Sequence, residues 1–133
     1  MLSIEDRQAI LESTTMAIVT QGGPSVEPTP DSYGLTCVYR SPSGRKCAIG
    51  HLISDEFYEP CLEGKTVTMI YQVIERSLQV KLCPEDIAFL NCLQQAHDVV
   101  APSDQWSLFW KLWRERLEML CESWELRFPE ELI

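Results

Sequence analysis

The sequence predicts an α+β fold: a mainly helical single domain with one β-hairpin and a long C-terminal amphipathic helix. Three observations predict it. Apolar residues recur at helical spacing over much of the chain, residues 35–50 read as a β-branched run, a turn cluster and a second short run, and the four tryptophans fall at heptad-like steps near the C-terminus. A length of 133 residues is that of one ordinary domain, 1–133.

Ser3 followed by Asp6 is a capping signal, Ile4, Leu11, Thr15 and Ile18 recur at helical spacing, and Gly22-Gly23 stops the run. This predicts a helix over 4–21. Pro24, Pro28 and Pro30 among Ser, Thr, Glu and Asp predict an extended connector over 22–34, because each proline lacks an amide donor and restricts its predecessor. The hairpin over 35–50 is expected to turn at Pro42 to Gly44. From 54 to 126 the chain reads as helical. Ser54 with Asp55 and Glu56 opens a helix that Pro60 and Gly64 hold to a turn or two. Val67, Ile70, Tyr71, Ile74 and Leu78 predict a helix over 66–78, and Pro84 with Glu85 and Asp86 opens the next, in which Ile87, Leu90, Leu93, Ala96 and His97 share a face up to Pro102. Ser103 and Asp104 cap the last helix. It places Trp106, Trp110, Trp113, Leu117, Leu120 and Trp124 on one seam, flanked by Phe109, Leu112 and Met119, with Glu115, Glu118, Glu122 and Glu125 in water.

Hydrophobic residues make up 45% and charged residues 23%, enough to bury a core. The formal net charge of -9 argues against nonspecific binding to nucleic acid or to an anionic membrane. Uncharged apolar stretches such as Met16 to Val19 fall far short of the roughly 20 residues of a membrane helix, and no signal segment opens the chain. Six cysteines without a signal read as reduced thiols or metal ligands, which places the protein in a reducing cytoplasm, by expectation that of a bacterial host cell. No P-loop, dinucleotide fingerprint, nucleophile elbow or paired CxxC is present.

The string Cys37-Val38-Tyr39-Arg40, then Gly44-Arg45-Lys46-Cys47-Ala48-Ile49-Gly50-His51-Leu52-Ile53, then an acidic tyrosine-containing stretch to Glu63-Gly64, resembles a widespread family of small phage and prophage proteins. Leu93-Gln94-Gln95-Ala96-His97-Asp98 and the Pro102 to Trp106 element match its later motifs. The resemblance covers about residues 35–106 and carries no established activity. The long Trp-rich helix beyond it is a departure.

Cys37, Cys47, His51 and His97 supply two sulfurs and two imidazoles, a donor set that suits a structural zinc, and the resembling family uses Cys or His at the position of His51. Against this, Cys37 and Cys47 are further apart than knuckle ligands, and buried free cysteines are common in cores. The same residues allow a small hydrolase or transferase with Cys47 as nucleophile, His97 as base and Asp98 or Asp55 orienting it. The absence of catalytic motifs leans away from an enzyme. A basic cluster, Tyr39-Arg40 with Arg45, and an acidic stretch, Asp55, Glu56, Tyr58, Glu59 and Glu63, are the candidate partner-binding residues. The seam from Trp106 to Trp124 is a candidate homodimer surface. Acidity, small size and the resemblance together imply an accessory protein that binds and inhibits a bacterial protein. Its partner would be a nucleic-acid-handling defence complex of CRISPR or restriction type, met by acidic mimicry of DNA phosphates.

Overall fold

The computed structural model describes residues 1–29, 34–98 and 106–133, apart from the side chain of Trp106. The expectations placed on Pro30, Val99, Val100, Pro102, Ser103 and Asp104 lie outside the described residues.

The first helix, α1, spans Ile4–Gln21. The Ser3 hydroxyl accepts from the Asp6 amide while the Asp6 carboxylate accepts from the Ser3 amide, and Gly22 ends the helix in the left-handed region at φ 86°. Two short strands follow, β1 (Val26–Pro28) and β2 (Leu35–Cys37), paired antiparallel with Val26 opposite Cys37 and Pro28 opposite Leu35. The hairpin therefore joins the end of the supposed connector to the start of the supposed hairpin. This corrects both boundaries. The Pro42 to Gly44 turn does form, but its arms share only the Arg40–Lys46 bridge, because Cys47 starts a helix instead of continuing a strand.

That helix, α2 (Ala48–Leu52), is capped by the Cys47 sulfur, which accepts from the Gly50 amide at 3.2 Å. Two 3-10 turns, Asp55–Phe57 and Pro60–Leu62, take the place of the expected one- or two-turn helix. Beyond them α3 (Val67–Leu78) ends on Gln79 at φ 57°, and α4 (Pro84–Asp98) opens with the Asp86 carboxylate accepting from the Cys83 amide at 3.0 Å. The last helix, α5, spans Trp106–Trp124.

Helix α4 packs against α2, α3 and α5, and α1 packs against α2. Their shared core holds Leu11, Ile18, Ile49, Ile74, Phe89, Leu90, Phe109, Trp113 and Leu117, all of them buried. Of the described seam, Trp113, Leu117 and Leu120 are buried, while Trp110 and Trp124 are half-buried. Trp113 stacks on Phe109 with ring centroids 5.7 Å apart, and Trp124 meets the Phe89 ring edge-on at 5.5 Å. Leu108 and Met119 are the large apolar residues of α5 that remain exposed. Among the described residues no helix is long and apolar enough to cross a membrane.

Candidate functional site

The motif residues from Cys37 to Gly64 knit three segments together through one carboxylate. Glu63 accepts from the Tyr39 amide at 2.8 Å, from the Arg40 amide at 3.1 Å and from the Tyr58 hydroxyl at 2.7 Å. Arg40 donates to the Ile53 carbonyl at 2.7 Å, pairs with Asp55 at 2.9 Å and lies 4.4 Å above the Tyr58 ring. The buried Tyr39 hydroxyl donates to the Lys65 carbonyl. Its phenol is pushed up by burial first and by neighbouring anionic groups after that.

Of the expected partner-binding residues, Tyr39, Arg40, Tyr58 and Glu63 thus spend their polar groups inside the chain. Arg45 is half-buried and engaged as well. Asp55, Glu56 and Glu59 are exposed on the two 3-10 turns, with Asp55 also 3.7 Å from Lys46. An acidic edge is therefore presented on a loop whose base is fixed by Glu63.

The second cluster is Cys37, His97 and Asp98, whose potential ligand atoms lie within 4.8 Å of one another. Fully buried His97 accepts from the Ser25 amide on Nε2 at 3.1 Å, so the network assigns the ring proton to Nδ1, which donates to the Asp98 carboxylate at 3.1 Å. The same carboxylate accepts from Gln94 at 2.7 Å, while the Gln94 carbonyl oxygen takes the Ile49 amide of α2 at 3.2 Å. The Cys37 thiol donates to the Asp98 backbone carbonyl at 3.5 Å. Burial, then Asp98, push that thiol up, so it stays protonated at neutral pH.

This geometry has two chemical consequences. A nucleophilic triad needs the acid on one imidazole nitrogen and the thiol on the other. Here Asp98 takes Nδ1 and a backbone amide takes Nε2, which leaves no nitrogen free to act as a base. Zinc binding through Nδ1 would put a proton on Nε2, directly against the Ser25 N–H. Metal analysis of chain purified without chelator and without a histidine tag is therefore expected to give a zinc-to-protein ratio near zero, and a ratio near one would show that Ser25 yields.

Cys47 and His51 fall outside the cluster. The wholly buried Cys47 thiol is pushed up to about 12 by burial, and its sulfur is spent on capping α2, so it is neither thiolate nor free ligand. His51 donates from Nε2 to the Gln21 carbonyl oxygen at 3.1 Å, and that oxygen also accepts from the Lys46 amide. Burial first, then Lys46, hold the ring down to about 4 from an ordinary 6.5. Between those values the unfolded chain binds the proton that the folded chain refuses. Stability is thus expected to fall as pH drops from about 6.5 toward 4. His51→Asn should flatten this slope in denaturant midpoints measured across that window, and an unchanged slope would assign it to another group.

Gln21 carries no sequence signal, and Gln94 and Glu63, though they stand in the quoted motifs, carry none for the internal hydrogen bonds they make, since a glutamine or glutamate on an amphipathic stretch reads as solvent-facing. Only the hydrogen-bond pattern distinguishes them. No family model, curated protein or solved structure matches the chain.

Proposed function

We propose that the chain acts by binding a partner protein, not by catalysis, through the exposed carboxylates of Asp55, Glu56 and Glu59, and that the partner is a bacterial nucleic-acid-handling defence complex. The carrying observation is the acidic edge. Its three carboxylates stand on the surface while the groups beneath them are tied to Glu63 and Arg40. Exposed carboxylates on an anchored loop steer association with a basic groove. A net charge of -9 adds to that field. The phage-family resemblance supports the choice of a defence complex, and the engaged thiols and imidazoles favour binding over catalysis.

The test is phage plating on bacteria that carry a restriction or CRISPR system, with and without the chain. Restored plating is expected. It should be lost in Glu56→Lys/Glu59→Lys, a pair chosen because neither residue joins the Arg40 network. Binding to the purified complex should weaken about tenfold or more in that variant and fall with salt. Full protection by the charge-reversed pair would remove the acidic edge from the reading, and no protection against any system would remove the reading itself.

A further inference from the structure

On the far side of Glu63 lies a cleft of about 310 Å³, walled by α4 and by the segment from Glu63 to Val67. Its polar lining mixes carboxylates and carboxamides with the Thr66 hydroxyl and the Lys65 amine. Asp98 uses one carboxylate oxygen for Gln94 and His97, and its other oxygen takes no hydrogen bond among the described residues. Glu63 adds a second carboxylate to the lining, and Asn91 and Gln95 add carboxamides that have no hydrogen-bond partner among the described residues. The opposing cation is Lys65, which is exposed and pairs with neither carboxylate within 4.0 Å. The field inside is negative enough that Asp98 adds to burial in pushing up both the Cys37 thiol and the Tyr39 phenol.

A half-exposed carboxylate oxygen, flanked by amide carbonyls in a concave site, matches a planar cation carrying several N–H donors. We propose that this cleft is a binding site for an arginine side chain presented by a basic peptide segment of a partner. The guanidinium pairs with Asp98 and hydrogen-bonds to Asn91 and Gln95. This goes beyond the acidic-edge reading and is independent of any defence complex, since it concerns different residues.

The experiment is an NMR titration of ¹⁵N-labelled chain with N-acetyl-arginine amide and, in parallel, with the neutral isostere N-acetyl-citrulline amide. Saturable shifts are expected at the amides of Lys65, Thr66, Asn91 and Gln95, with citrulline at least about tenfold weaker. Asp98→Asn should weaken arginine by about tenfold, and its unchanged spectrum away from the cleft would show that it folds. Gln95→Lys, at an exposed position that folding does not need, should abolish the response. Non-saturating shifts, equal response to citrulline, or undiminished binding in Gln95→Lys would each overturn the site.

Discussion

Replacing Asp86 with alanine is expected to cost about 3–5 kcal/mol, the scale for removing one partner of a buried ion pair. Asp86 is wholly buried and accepts from the Leu2 amide, the Cys83 amide and the Arg7 guanidinium, each at 3.0 Å. Those bonds tie the N-terminal residues, α1 and the start of α4 to one carboxylate. Arg7 in turn lies 5.2 Å from the Trp124 ring and 5.8 Å from that of Phe89, so the same charge reaches α5. Without Asp86, the guanidinium stays among the rings with only the exposed Glu85, 3.7 Å away, to answer it. A double-mutant cycle separates the causes: if stranded charge dominates, Arg7→Met should recover much of the loss when added to Asp86→Ala. No recovery would place the cost in the lost amide caps.

The pH dependence gives a second reading of the same bond. Burial alone would raise the Asp86 carboxyl, but the Cys83 and Leu2 amides and Arg7 outweigh it and hold the group below the ordinary 3.8. A depressed acid contributes stability that is present above its unfolded value and is lost as pH falls through the folded one. The loss therefore lies below about pH 4, beneath the window of His51. Asp6, held down by its capping bonds to Ser3, titrates in the same region. Asp86→Ala should shrink the acid slope without erasing it.

Legibility from sequence divides by range. Both ends of α1 were readable because Ser3, Asp6 and Gly22 act within four residues of the boundary they set. The starts of α3 and α4 were readable for the same reason, through periodicity and Pro84. The β-hairpin was misplaced because its first strand is three residues long and ends on Pro28, so its pairing with Leu35–Cys37 leaves no alternation to detect. Residues 38–47 look strand-like, but the Tyr39 and Arg40 amides are taken by Glu63, 24 and 23 positions further on, and no local pattern reports that. Cys47 as a helix cap was also invisible, since cysteine is not among the preferred capping residues. The candidate site fared likewise. Cys37 with His97 and His97 with Asp98 were named in separate candidate sets, but their meeting in one cluster, and the Ser25 amide 72 positions away that occupies Nε2 of His97, depended on the fold.

Gly50→Ala is expected to destabilise the chain by about 3 kcal/mol, at or above the usual range for overpacking. In the middle of an ordinary helix the same change stabilises by up to about 1 kcal/mol, because glycine is the poorer helix former. The sign reverses here for a steric reason. A Cβ on Gly50 would stand 2.0 Å from the Tyr39 carbonyl oxygen and 2.9 Å from its carbon, and backbone cannot swing aside as a side-chain tip can. That carbonyl already accepts from the Cys47 amide at 3.2 Å, so α2 rides directly over the bond that positions its own cap. Relief requires α2 to lift from residue 39, which loosens the Tyr39 and Arg40 amides from Glu63 and the Ile49 amide from Gln94. Gly44→Ala provides the contrast. Gly44 has φ 90° with nothing within 4 Å of a Cβ, so its cost is the backbone term alone, about 1 kcal/mol. Denaturant midpoints ranking Gly50→Ala well below Gly44→Ala would establish that Gly50 is there to let a helix and a loop touch. Equal costs would mean that α2 shifts freely and that the base of the acidic edge is less fixed than its hydrogen bonds imply.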